Sequence, residues 1–122
     1  MIPPVFTTIQ TDTVAAGVLT DNGLLKVFPW GQAPQTIKPP YVTYTMFNGL
    51  PANTMGERPL LDNLGTQVDV WGRNGDQCTE VATAVRNALE GMGHMTSISS
   101  MEREPDTQLY RVRMDFDFFT DR

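Results

Sequence analysis

Apolar and charged residues alternate strictly along one stretch of the chain, Tyr110-Arg111-Val112-Arg113-Met114-Asp115-Phe116-Asp117-Phe118. Alternation with period two predicts a β-strand, because successive side chains of a strand point to opposite faces of the sheet. We predict a strand over residues 108–119 with its apolar side chains on the core. The charged side chains predict that the other face meets water, as is common in antiparallel sheets.

The rest of the chain predicts further strands and three helices. The predicted strands are Leu24–Phe28, Tyr41–Phe47, Thr66–Gly72 and Met95–Met101. One helix begins at Pro3-Pro4, a second is capped by Asp12 and runs through Leu19, and a third follows an Asp76 cap along the apolar stripe Cys78–Leu89. The order is helix, helix, strand, strand, strand, helix, strand, strand. It predicts an α+β fold whose sheet is antiparallel-rich, with a mixed sheet also allowed, and whose helices pack on one face.

Composition restricts the class of protein. A chain of 122 residues predicts one domain over 1–122. The net charge of −5 argues against a nucleic-acid-binding module, and Lys26 and Lys38 are the only lysines. Cys78 is the only cysteine, so no intrachain disulfide forms. Neither a signal peptide nor a membrane span is recognisable, and we expect assembly in a host cytoplasm.

The sequence offers little catalytic chemistry. His94 is the only histidine and is expected in a loop, while Cys78 lies on an apolar stripe where a thiol is ordinarily inert. Asp69, Asp115 and Asp117 share one face of neighbouring strands and could hold Mg²⁺ as in a small hydrolase. Arginines alternate with these acids, which favours a solvated charged face instead. We therefore predict a protein without catalytic activity, metal or cofactor.

Residues 48–64 predict a long loop that is either functional or mobile. Proline and glycine at Pro51, Gly56 and Pro59 oppose regular structure. Four residues are more apolar than a free loop should expose, namely Leu50, Met55, Leu60 and Leu61. With Arg58 they form a candidate contact with a neighbouring subunit. The alternative is an Ω-like loop folded on its own domain.

Several short motifs recur in the order and spacing of one known family. They are Ile2-Pro3-Pro4-Val5-Phe6, Lys26-Val27-Phe28-Pro29 with Ala33-Pro34-Gln35, Pro40-Tyr41-Val42, Val68-Asp69-Val70-Trp71, Val85-Arg86-Asn87-Ala88-Leu89-Glu90, and Tyr110-Arg111-Val112 followed by Asp115-Phe116-Asp117-Phe118. Each motif alone is weak, but together they cover nearly the whole chain. By these motifs the chain resembles the tail-completion (tail-terminator) proteins of long-tailed phages.

The resemblance implies a structural virion protein of the tail and neck. Members of this family are expected to form a six-fold ring on the last ring of tail-tube protein, ending tube growth and meeting the head connector. The family brings no catalytic residues, and DNA is expected to pass through the ring without specific binding. Three alternatives stay open: another neck component such as a connector or stopper subunit, a small metal-dependent hydrolase, and an acidic mimic of nucleic acid.

Acidic side chains are the candidate lining of such a ring. Six copies at −5 each would carry −30. Carboxylates repel phosphates within a Debye length, about 8 Å at physiological salt. Asp115 and Asp117 are the candidate lining residues, and the alternative is that they face outer solvent.

Overall fold

A computed structural model describes residues 4–34, 36–48 and 61–121 of the chain. Within these residues the helices are α1 (Val5–Thr11), α2 (Thr13–Leu19) and α3 (Gly75–Leu89). The strands are β1 (Thr20–Asp21), β2 (Leu24–Leu25), β3 (Val27–Pro29), β4 (Tyr41–Asn48), β5 (Leu61–Gly72), β6 (Gly93–Ile98), β7 (Glu102–Arg103) and β8 (Tyr110–Asp121).

Side-chain capping determines where α2 and α3 begin. Asp12 accepts hydrogen bonds from the backbone N–H groups of Val14 and Ala15, so it caps α2 as predicted. The predicted Asp76 cap of α3 is wrong. Asn74 is the cap and accepts from the Gln77 backbone N–H at 2.8 Å, while Asp76 lies in the first helical turn. Asn74, two residues earlier, provides the side-chain oxygen that accepts the hydrogen bond. The Asp76 carboxylate in the first turn interacts favourably with the positive end of the helix dipole.

One mixed sheet organises the fold, with strand order β3-β4-β5-β8-β6 and β7 paired to the end of β8. Among the described strands of this sheet, β3 runs parallel to its neighbour β4, and the other pairs are antiparallel. Helix α3 packs on β5 and β8, and α1 and α2 pack on α3. The predicted α+β fold with an antiparallel-rich sheet is confirmed.

The core lies between this sheet and the helices. Phe116 and Phe118 of β8 are fully buried, and their rings lie 5.7 Å apart. They pack with the apolar stripe of α3 and with the valines of β4 and β5 in one cluster. Burying large apolar side chains is the main stabilising contribution to a domain of this size, at roughly 1.5–3 kcal/mol for each one. The predicted core face of β8 is confirmed.

The predicted strand Leu24–Phe28 divides into β2 and β3 on either side of Lys26. Strand β2 pairs with β1 in a two-residue hairpin, whose loop residues Asn22 and Gly23 have positive φ angles of 51° and 80°. Asn-Gly is a preferred pair for this turn because both positions need left-handed backbone. Strand β3 instead joins the main sheet beside β4.

The predicted loop 48–64 is too long at both ends. Strand β4 includes Asn48, and β5 begins at Leu61, which leaves 49–60 as the connection. Residues 61–64 carry no strand pattern of their own. They pair with β8 from Leu61↔Asp121 onward, so pairing with the long partner strand determines their conformation.

Candidate assembly surfaces

Three rows of side chains cross the sheet face opposite the helices. Their members are linked by strand register as Tyr41–Trp71–Arg111–Glu102, Thr43–Asp69–Arg113 and Thr45–Gln67–Asp115–Ser97. The helices α1–α3 lie on the other side. We call this surface the open face.

The first row is an aromatic group that packs on itself. The Tyr41 and Trp71 rings stack at 5.8 Å, and the Arg111 guanidinium carbon lies 5.5 Å from the centre of the indole. The indole N–H of Trp71 donates to the Thr43 hydroxyl at 3.1 Å. Stacking, cation–π contact and the hydrogen bond together leave Trp71 only 8% exposed. The open face therefore includes a side chain that is almost fully buried, which the alternating strand pattern did not predict.

Asp69 is the most unusual group on this face. It is 1% exposed, and its Oδ2 accepts a hydrogen bond from the Gln67 amide at 2.9 Å. Its other oxygen, Oδ1, has no hydrogen-bond partner among the described residues. Burial raises the pKa of the Asp69 carboxyl, against the opposing effects of the Gln67 hydrogen bond and of Arg111 and Arg113. A buried carboxylate with one oxygen that lacks a hydrogen-bond partner destabilises the fold.

The two candidate lining acids lie in different surroundings. Asp115 accepts from Ser97 Oγ at 2.8 Å and pairs with the Arg113 guanidinium, whose Nε lies 3.1 Å from Oδ1. This pairing raises the pKa of Arg113 and offsets part of the acid's charge. Asp117 lies opposite Gly65 on one side and His94 on the other, and it is half-buried.

Beside the β3 edge of the sheet lies a cleft of about 500 Å³ that contains both lysines of the chain. Lys26 is only 5% exposed, and its ammonium donates to the Lys38 carbonyl at 3.0 Å. Burial lowers the pKa of Lys26, Asp21 acts to raise it, and Arg73 is near enough to lower it. Lys38 is exposed, and so is Leu24, which also lines the cleft. We call this the lysine cleft.

The opposite edge of the sheet is formed by β6 and β7 and is acidic. Glu102 and Glu104 pair with Arg111 at 3.8 and 3.5 Å. Asp106 stands exposed in the turn between β7 and β8. Two apolar side chains on the same edge, Ile98 and Met101, are 50% and 36% exposed. We call the segment 102–109 the acidic turn.

The candidate contact residues of the long loop lie mainly outside the described residues. Leu50, Met55, Arg58 and Leu60 belong to the undescribed range 49–60. Leu61 is the first residue of β5, and its side chain is likewise outside the description. Their role as a contact stays a prediction from the sequence.

Among the described residues, the candidate catalytic groups do not form a catalytic or metal site. Cys78 is fully buried, its thiol donates to the Val70 carbonyl, and burial raises its pKa, so it is a core side chain. His94 was predicted to lie in a loop, and this prediction is wrong. It lies in β6 and is exposed. The described residues contain no cluster of three His, Cys, Asp or Glu side chains that could hold a metal ion. Asp69 and Asp115 instead bond to Gln67 and Arg113.

Residues 6–121 match the model of a protein family described as tail completion protein gp17. The chain belongs to this family. It is therefore a phage tail structural protein with its place in the virion, and the resemblance found in the short motifs is confirmed. No curated protein sequence matches the chain.

A solved structure has the same fold. A chain of the virion of a native gene transfer agent particle superposes with a TM-score of 0.67 at 14% sequence identity. The match covers 97% of this chain and 92% of the other.

None of the described helices is long and apolar enough to cross a membrane.

Proposed function

We propose that this chain is a tail-terminator subunit that forms a six-membered ring, caps the tail tube and joins it to the head connector. The observation that carries the proposal is the match to the tail completion family over residues 6–121. The role is structural and involves no catalysis. The proposed partners are further copies of the chain, the tail-tube protein and the neck proteins of the head connector.

The fold supports a ring because the described sheet has two different edges. A ring of identical chains needs a heterologous contact, in which one surface of a subunit meets a different surface of the next. Strand β3 forms one edge, and β6 with β7 forms the other. Each edge carries exposed apolar and charged side chains of its own, so each offers a surface for a neighbour.

The acidic side chains support a passage for DNA. We propose that Asp117 and Asp115 line the channel. Asp117 is the stronger candidate, because Asp115 is already held by Arg113 and Ser97. Repulsion of phosphates would let DNA pass without binding.

The apolar residues of the predicted loop 48–64 are the proposed contact with a neighbouring subunit or the tube. Leu50, Met55, Leu60 and Leu61, with Arg58, carry this part of the proposal on sequence alone. Replacing the four apolar residues with serine should abolish ring formation if they form that contact.

Deletion of the gene in the phage or prophage tests the function. The expected result is heads and tails that fail to join, with tubes of abnormal length, and rescue by the wild-type gene. Normal infectious particles from the deletion would overturn the proposal. Tubes of normal length that still fail to join would indicate another neck component, such as a connector or stopper subunit, and would also overturn tail termination.

A further inference from the structure

We propose that neighbouring copies of this chain meet by docking the acidic turn of one subunit into the lysine cleft of the next. This inference rests on the proposed ring and adds the surfaces that form it. The lysine cleft is lined by Lys26 and Lys38, and the acidic turn presents Asp106.

The two surfaces lie at the same level on opposite edges of the sheet. Val27 pairs with Val42, which places Lys26 beside Tyr41 on the parallel neighbour. Tyr41 is followed across the sheet by Trp71, Arg111 and then Glu102. A copy placed edge to edge without a shift along the strands therefore brings its acidic turn towards the lysine cleft of its neighbour.

The charges of the two surfaces are complementary. The cleft contains both lysines of a chain whose net charge is −5, Arg73 is close by, and Asp21 is the acid at its rim. The segment 102–109 carries three carboxylates and one arginine. Glu102 and Glu104 pair with Arg111 of their own subunit, so exposed Asp106 is the carboxylate presented to a neighbour. Opposite potentials on two contacting surfaces favour association and fix its register.

The buried ammonium of Lys26 has hydrogen-bond donors without a described acceptor. Its ammonium has three N–H donors and bonds to one described acceptor, the Lys38 carbonyl. A buried charge is costly unless it is paired. A carboxylate from the next subunit would provide that pair, and Lys38 at the rim would provide a second cation.

The acidic turn is built to present its carboxylate. The backbone N–H of Glu104 donates to the Leu109 carbonyl, and that of Gln108 donates to the Glu104 carbonyl, both at 2.8 Å. The Gln108 side chain also donates to the Pro105 carbonyl at 2.7 Å. Because these bonds fix the turn before docking, little conformational entropy is lost on binding.

Zero-length carbodiimide crosslinking of the full chain tests the contact directly, because the chain has two lysine side chains. The expected crosslinks join Lys38 or Lys26 to Asp106 or Glu104. Four strand spacings separate the two edges, roughly 19 Å, so such a link cannot form within one subunit. Assembled rings, alone or on tail tubes, that give crosslinks only at other carboxylates would overturn the proposal.

Charge reversal provides the second test. Lys38→Glu and Asp106→Lys should each raise the concentration needed for assembly at least tenfold, as measured by sedimentation velocity and by capping of tubes. Both changed side chains are exposed, so the fold should be kept. The double variant should assemble close to the wild-type concentration, since the charges are exchanged. Glu80→Lys, an exposed reversal on α3, is the matched control and should have no effect.

The outcomes separate this inference from the proposed function. A wild-type chain that forms rings and caps tubes, with both reversals assembling as well as wild type, would overturn the docking and leave the tail-terminator role intact. The same holds for a double variant that assembles no better than the single ones. A wild-type chain that forms no ring, alone or on tubes, would overturn both.

Discussion

Arg113 lies directly opposite Asp69 in the register of β5 and β8, yet its guanidinium bonds to Asp115 on its own strand. The Arg113 Nε to Asp115 Oδ1 distance is 3.1 Å, and Asp69 keeps one oxygen without a described partner. The open face therefore holds two acids on adjacent strands: Asp115 is paired with an arginine, and Asp69 has one oxygen bonded to Gln67 and one without a described partner. Asp115 is half-buried, and Asp69 is almost fully buried.

The pH dependence of stability should reveal Asp69. Burial raises the pKa of this carboxyl above its ordinary 3.8 in the folded state. As the pH rises through that value, the unfolded chain loses its proton first. The free energy of unfolding therefore falls until the folded carboxyl has also ionised, and is then constant. Asp69→Asn should remove this fall, so its stability relative to wild type should be greater at about pH 7 than at about pH 3.

Urea unfolding at both pH values measures the effect, with Asp106→Asn as a control at an exposed position. A difference between wild type and Asp69→Asn that does not change with pH would show that Asp69 titrates normally.

The two faces of β8 should respond differently to truncation. Phe116 is fully buried against the helices, so Phe116→Ala should cost about 3–5 kcal/mol. Asp115→Ala removes a partly exposed ion pair with Arg113, so it should lower the free energy of unfolding by under about 1 kcal/mol. Chemical denaturation of both variants measures the difference. Equal losses would contradict the placement of the helices on one face only.

The hydrogen bond beneath the aromatic group can be tested by an isosteric change. Thr43→Val keeps the shape of the side chain but removes the acceptor for the Trp71 indole N–H, which is then left unpaired in a buried place. The expected cost is about 1–3 kcal/mol in free energy of unfolding. Thr45→Val in the next row is the control, because Thr45 is half-exposed. Similar costs for the two variants would show that the bond contributes nothing particular.

The strand pattern predicted the core more fully than it predicted the surfaces. Alternation in β8 identified Phe116 and Phe118 as core, because period two depends only on which face is covered. The same reasoning placed Asp69 on a solvated charged face. It failed there because long neighbouring side chains such as Arg111 cover the open face, and that coverage depends on cross-strand register.

The lysine cleft shows a similar limit. Composition revealed that Lys26 and Lys38 are the only lysines, but not that both line one cleft. The ammonium of Lys26 bonds to the Lys38 carbonyl, twelve residues later in the chain, and no local sequence pattern reports that contact. The signal available in the sequence was a lone lysine inside an apolar strand motif, Leu24 to Phe28, where a charge is costly unless paired.

The edge strand β6 depends on Gly93, and this links stability to assembly. A Cβ at Gly93 would lie 2.4 Å from Phe118 Cδ1 and 2.9 Å from the Asp117 carbonyl. Phe118 is fully buried and cannot move without disturbing the core, so Gly93→Ala should cost about 1–3 kcal/mol. Gly91→Ala, two residues earlier, is the matched control: its nearest contact is the Ala88 carbonyl at 3.6 Å, an ordinary van der Waals distance.

Thermal unfolding followed by circular dichroism compares the two glycine variants. Because β6 forms part of the edge proposed to contact a neighbouring subunit, Gly93→Ala should also lower the fraction of chains in rings at a temperature where the monomer is still folded. Gly91→Ala should leave ring formation unchanged. If Gly93→Ala melts like wild type, then Phe118 has room to shift and β6 is held less tightly than the contact distances indicate. If the melting temperature falls while rings form normally, the β6 edge lies outside the subunit contact.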